Sequence, residues 1–164
     1  MPSESTVKRF SCSLSRRKFR SYSETVCRVI DEISPNIVLC VGEAGGRKAV
    51  TPERIAVNIR DARIPDNKGQ QPTDEKIVPD GPDGYFSTLP IKEMTAAMKN
   101  AGYAAEVSNT AGTFVCNDLM YGVLHHLAQK PGSGPVAGFI HVPAERTVTS
   151  VSAEALTEAL KVFG

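Results

Sequence analysis

A cysteine set immediately before a helix can be a nucleophile, and Cys116 has that setting. It follows Thr113-Phe114-Val115, and the residues after it, 117–129, carry Leu119, Met120, Val123, Leu124 and Leu127 on one side of an amphipathic helix. The partial positive charge at a helix N-terminus stabilises a thiolate, which makes a cysteine reactive. A buried, inert structural thiol is the plain alternative. Of the three histidines, His141 closes the short run Gly138-Phe139-Ile140, where a strand's C-terminal end would present it at the edge at which α/β sheets place their sites. His125 and His126 lie on the helix itself and read as surface or interhelix residues. A third, acidic group must orient the imidazole, and Glu53, at the head of a second strand, is one candidate among several acids.

The elements that must position these groups alternate along the chain. From Tyr22 to Ile33, Val26, Val29, Ile30 and Ile33 recur at helical spacing, with Ser23 as a possible cap and Pro35 as the stop. The branched run 36–41 ends at Gly42 and suits a strand buried on both faces of a mostly parallel sheet. Residues 54–59 alternate as a second strand, 91–101 form a helix ending at Gly102, and 104–108 read as a strand leading to Cys116. Val136 to Val142 is a further buried strand, and 152–162 a last helix capped by Ser152. Between 61 and 85 lies a long Pro-rich excursion of the kind that forms lids or interface arms. This order predicts an α/β fold: a three-layer α/β/α sandwich with a mostly parallel central sheet.

At 164 residues, 41% hydrophobic, the chain can bury the core of one compact domain. Its formal net charge is +1, and the few aromatic residues do not interleave with the basic ones, so nucleic acid is not an expected partner. No apolar run reaches the length of a membrane helix. The four cysteines, at 12, 27, 40 and 116, show no CxxC spacing and do not cluster with histidine, so neither a metal nor another cofactor is expected. Cys40, inside Ile37-Val38-Leu39-Cys40-Val41, reads as a buried thiol in a reducing, cytoplasmic setting. Lys8, Arg9, Arg16, Arg17, Lys18 and Arg20 crowd the start, which reads as a solvated tail or an imitation of a transit peptide. Gly42, Gly45 and Gly46 hint at phosphate binding but lack the spacing of a dinucleotide fingerprint or a P-loop.

Ser108-Asn-Thr-Ala-Gly-Thr-Phe-Val-Cys-Asn117 resembles the nucleophile signature of the pyroglutamyl peptidase I family, the pyrrolidone-carboxylate peptidases. Gly42-Glu-Ala-Gly-Gly-Arg47, Pro52-Glu-Arg-Ile-Ala-Val-Asn58, Asp61-Ala-Arg-Ile-Pro-Asp-Asn67, Tyr85-Phe-Ser-Thr-Leu-Pro90 and Gly138-Phe-Ile-His-Val-Pro143 are similar to its other blocks, in the same order. The resemblance implies a cysteine omega peptidase that removes N-terminal pyroglutamate through a thioester, with Glu53, Cys116 and His141 as catalytic residues. It further implies Arg63 and the Cys116 amide as oxyanion donors, Phe114 against the lactam ring, and Glu43 and Ile64 at the substrate. The excursion would shape the pocket and support a homo-oligomer.

Two departures accompany the likeness. Residues 1–18 have no recognisable counterpart and read as a divergent, disordered lead-in to a single domain, 19–164, that lacks the family's first strand and aromatic loop. Glu43 stands where the family commonly has Gln. The alternative reading is therefore a catalytically impaired or silent member that acts only as an oligomer partner.

Overall fold

The computed structural model describes residues 19, 21–130, 132, 134–144 and 146–163, apart from the side chains of 21 and 146–151. The expectations placed on residues 1–18 lie outside the described residues. The elements are α1 (Ser21–Ile33), β1 (Ile37–Ala44), β2 (Thr51–Pro52), β3 (Ile55–Val57), β4 (Gly84–Phe86), α2 (Ile91–Asn100), α3 (Val115–Ala128), β5 (Val136–Pro143) and α4 (Arg146–Leu160), with a closing 3₁₀ turn at Lys161–Phe163.

The central sheet has the order β1-β5-β2, with β1 parallel and β2 antiparallel to β5. Single parallel bridges, Val50 to Ala105 and Glu53 to Ser108, extend it beyond β2. The α/β class holds, and most of the sheet pairing is parallel as expected, with the two-residue β2 as the antiparallel exception that makes the sheet mixed. The second strand expected over 54–59 is likewise divided: 51–52 join the central sheet, while β3 turns away to pair antiparallel with β4. Pro52 offers no backbone donor, which limits how far this segment can continue a ladder.

Side-chain alternation along the strands sorts the core into two layers. Val38 and Cys40 of β1 and Ala137 and Phe139 of β5 face α1 and α3, where Ile30, Leu119, Met120, Val123 and Leu124 are buried. Ile140 points the other way, toward Met94 and Met98 of α2 and Ala155 and Ala159 of α4. Each large apolar side chain buried in this way contributes roughly 1.5–3 kcal/mol. Strand β1 is less enclosed than a two-faced burial predicts. Among the described residues it is the sheet's edge, and its Val41 is 44% exposed.

Three helix starts differ from the sequence expectation, and the first is α3, which begins at Val115 rather than at 117 and so takes Cys116 into its first turn. Helix α1 starts at Ser21, so Ser23 is a first-turn residue rather than the cap, and it packs where α1 crosses α3 at Gly122. A Cβ on Gly122 would stand 2.5 Å from that of Ser23. Helix α4 starts at Arg146, which makes Ser152 a buried mid-helix residue rather than its cap.

The first turn of α3 is clamped to the neighbouring chain. Asn117, fully buried, accepts from the Val57 amide at 2.9 Å and donates to the carbonyls of Val57 at 2.9 Å and Ile59 at 3.1 Å. Asp118 forms a buried ion pair with Arg60, whose guanidinium also reaches the carbonyls of Lys76 and Ile77. The same helix ties down the Pro-rich excursion, Tyr121 donating to the Pro82 carbonyl at 2.7 Å, and Asn58, directly after β3, donates to the carbonyls of Val78 and Gly81.

Removing one member of the Arg60–Asp118 pair strands the other charge in the core. Asp118→Ala is expected to lower stability by about 3–5 kcal/mol, and the double change Arg60→Met with Asp118→Leu by clearly less. Urea titrations of both variants check this; equal losses would show that the pair is not a buried charge couple.

Candidate active site

Register brings the candidate residues to one end of one sheet face. In the β1–β5 ladder Val38 lies beside Ala137, Cys40 beside Phe139 and Gly42 beside His141. His141 therefore faces α3, as Ala137 and Phe139 do, and its ring lies 4.8 Å from that of Phe139. Cys116, in the first turn of α3, comes down on the same corner. A Cβ on Gly42 would stand 3.3 Å from Cys116 Sγ and 2.7 Å from Phe139 Cζ, so only glycine leaves this floor open beneath the thiol.

Glu53 reaches the corner from the other side. Residues 50–54 run between β5 and 104–108: the Glu53 amide donates to the Phe139 carbonyl at 2.8 Å, and the Ser108 amide donates to that of Pro52 at 2.9 Å. The fully buried Glu53 side chain accepts at Oε1 from His141 Nδ1 at 2.7 Å. An ionised carboxylate can only accept, so Nδ1 carries the proton and Nε2 remains as the basic nitrogen. Burial pushes the Glu53 carboxyl up, but the hydrogen bonds from His141 and Arg47 and the Arg47 charge outweigh it and hold the group below its ordinary 4.5.

The thiol opens onto a cavity of about 620 Å³ whose walls include Tyr22, Gly42, Glu43, Phe114, Cys116 and Phe139. The helix's own ladder starts with the Asp118 amide donating to the Phe114 carbonyl at 3.0 Å, so the amides ahead of it are directed out of the N-terminal end. Phe114 is fixed edge-on against Phe19, ring centroids 5.1 Å apart. Cys27 and Cys40 lie elsewhere in the core. Burial raises their thiols first and most, to about 11 and about 12.

Of the residues singled out in the sequence, Glu53 and His141 are hydrogen-bonded, and Cys116, Phe114 and Glu43 meet at the cavity. Arg63 and Ile64 do not reach its wall. Ala62 is buried with Phe19 and Val115, and that anchor turns the next two side chains toward solvent. Their loop nonetheless runs beside the cysteine loop, the Asp61 amide donating to the Thr113 carbonyl at 3.0 Å and the Thr113 hydroxyl to that of Asp61 at 2.8 Å. His125 and His126 serve contacts between elements, bonded to Tyr85 and to Asp31. Sequence reasoning missed Arg47, which lies 2.6 Å from Glu53 Oε1. It was visible only as the last residue of the glycine block 42–47.

A carboxyl held low in the fold stabilises it at pH values above 4.5, where both states are ionised. That contribution is lost as pH falls from there through the lower folded value, because the unfolded chain takes up its proton first. The stability gap between the wild-type chain and Glu53→Gln should accordingly narrow on acidification from neutral pH, in denaturant titrations at several pH values. A gap independent of pH would place the Glu53 charge outside the folding balance.

Among the described residues no three His, Cys, Asp or Glu side chains gather as metal ligands would, and no helix is long and apolar enough to cross a membrane. A sequence profile of the pyroglutamyl peptidase family matches residues 8–161, beginning ahead of Phe19. The chain is 49% identical over 150 residues to the pyrrolidone-carboxylate peptidase of Bacillus subtilis, covering 88% of this chain and 69% of that one. To that of an Enterobacter strain it is 57% identical over 114 residues, covering 70% and 52%. It thus spans between about half and two thirds of the length of these relatives. The crystal structure of Bacillus amyloliquefaciens pyroglutamyl peptidase I superposes with a TM-score of 0.81 at 39% identity, over 86% of this chain and 73% of that one. Pyrrolidone carboxyl peptidase from Thermococcus litoralis gives 0.79 at 39% identity, over 85% and 70%. Profile, sequence relatives and solved structures agree, and the chain belongs to the pyroglutamyl peptidase family.

Proposed function

We propose that this chain removes an N-terminal pyroglutamyl residue from peptides, with Cys116 as nucleophile, His141 as general base and acid, and Glu53 as the group that orients the imidazole. The observation that carries the assignment is the 2.7 Å bond from His141 Nδ1 to Glu53, made on the sheet face and at the sheet end where Cys116 Sγ lies over Gly42. His141 Nε2 takes the thiol proton as Sγ attacks the carbonyl carbon of the pyroglutamyl residue. The charge that develops on that oxygen is received by the Cys116 amide at the α3 terminus, with Arg63 as a second donor once its loop turns inward. Collapse to the thioester breaks the C–N bond, and His141 returns the proton to the departing amine. Water, deprotonated by His141, then attacks the thioester, releasing pyroglutamate and restoring the thiol.

In this reading Phe114 and Phe139 supply apolar surface for the lactam, Glu43 contacts the substrate at the cavity wall, and Ile64 does so once the loop that carries Arg63 turns inward. Residues 19–164 act as one domain, which is supported by the two core layers packed on a single sheet. Cys27, Cys40 and Cys116 form no disulfides, which fits a reducing cytoplasm. Exposed Val41 on the edge strand and Phe86, 70% exposed on β4, support assembly into a homo-oligomer.

Amine release from a chromogenic pyroglutamyl amide tests the assignment. Cys116→Ser and His141→Ala are each expected to lose turnover by at least about a thousandfold, and Glu53→Gln by less, since it acts through the imidazole. Iodoacetamide at neutral pH should label Cys116 and spare Cys27 and Cys40, as read by peptide mass mapping. Turnover that survives in His141→Ala would transfer the role of base to another group.

A further inference from the structure

Arg47 is the charged group at the site that the reaction above leaves without a task. We propose that it is a positioning residue for catalysis, holding Glu53 by the oxygen that receives His141 and tying this pair to the loop that delivers Cys116. The inference rests on the reading of Glu53, His141 and Cys116 as the catalytic set.

Three contacts define the arrangement. Arg47 Nη1 lies 2.6 Å from Glu53 Oε1 and also donates to the Thr51 hydroxyl, while Nη2 donates to the Thr110 carbonyl at 3.1 Å. Thr110 belongs to the loop between the Glu53–Ser108 bridge and Cys116. The guanidinium arrives there because β1 ends in a tight turn. Gly46 takes a φ of +84°, and the Arg47 amide closes back on the Ala44 carbonyl at 3.4 Å. One residue block thus provides the open floor under the thiol, at Gly42, and the cation behind the acid, at Arg47.

A planar guanidinium can bind two acceptors in fixed relative positions, which an ammonium cannot. Here the two acceptors are Glu53 and the cysteine loop, so the fork sets the distance between the orienting acid and the nucleophile's support. Its charge has a second effect. A carboxylate facing only the imidazole would stabilise the imidazolium strongly, whereas one shared with a cation does so less. Arg47 therefore keeps His141 available as a base. Among the described residues, the titratable and charged groups at the pair are Arg47 from the turn after β1, Glu53 after β2, His141 of β5 and Cys116 of α3, with Glu43 of β1 at the same cavity as the thiol. Arg54, next to Glu53, turns away to Asn109 Oδ1 at 2.7 Å.

Arg47→Gln and Arg47→Lys in the full chain separate the two effects. In Arg47→Gln the imidazole-governed limb of the kcat/KM profile is expected to move upward by about one pH unit, with kcat lower by about tenfold. Arg47→Lys should keep the limb in place while kcat still falls severalfold, since charge is retained and the fork is lost. The His141 ring signals, followed by NMR across pH, should titrate higher in Arg47→Gln than in the wild-type chain. That measurement needs no turnover, so it decides the role of Arg47 even if the chain hydrolyses no pyroglutamyl amide, an outcome that would instead refute the proposed function. An unmoved His141 midpoint in Arg47→Gln overturns the inference. If Arg47→Gln does not fold, full kcat in Arg47→Lys overturns it equally.

Discussion

A carboxylate removed from water stays ionised only where donors replace its hydration, and Glu53 imposes that requirement on everything around it. Its donors come from two distant parts of the chain, His141 from β5 and Arg47 from the turn after β1, both at Oε1, with Thr51 of β2 holding Arg47 in turn; among the described residues its buried Oε2 has no partner. To set them in place, β5 must lie between β1 and β2, Pro52 must halt its own ladder, and Gly46 must turn the chain back. The mixed sheet is therefore no departure to be explained away. An antiparallel β2 is what lays Glu53 alongside the C-terminal end of β5, where a side chain on the α3 face can meet it.

Helix α3 carries the other half of the site, and apolar and polar restraints on it meet in its first turn. Leu119, Met120, Val123 and Leu124 fix the helix against the sheet by burial. Asn117 and Asp118 then fix its rotation and height through polar contacts with β3 and Arg60. Apolar packing alone would tolerate small slides along the groove. The buried amide and ion pair do not, and Cys116 stands directly before them.

Much of this could be read from the sequence because local patterns govern it. The apolar stripe of α3, the run 136–142 and the glycine that ends 36–41 gave the helix and two strands, and with them the placing of Cys116 and His141. Failures came where distant partners decide. Alternation over 54–59 is genuine, yet nothing local says that β3 should leave the central sheet for β4. Ser152 looks like a cap because helices favour serine there, but α4 propagates back to Arg146 through residues of modest helix propensity. The exposed placing of Arg63 and Ile64 next to a buried Ala62 was equally beyond any local pattern. Arg47 passed unnoticed because a single arginine after glycines announces no partner, and its acceptors lie 6 and 63 residues away.

The sequence separation of these contacts bears on how the molecule reaches its native state. His141 and Glu53 are 88 residues apart, Arg47 and Thr110 are 63, and Asn117 and Val57 are 60. Each such closure carries its loop entropy before it gains any stabilisation, so topology of this kind folds slowly compared with helical bundles. Helices α1 and α3 can pack on each other without bringing Glu53 and His141 to Cys116. The competent geometry arises only when β5 inserts between β1 and β2, a step that requires nearly the whole chain. Under the proposed function, hydrolysis therefore requires the completed topology and cannot precede it.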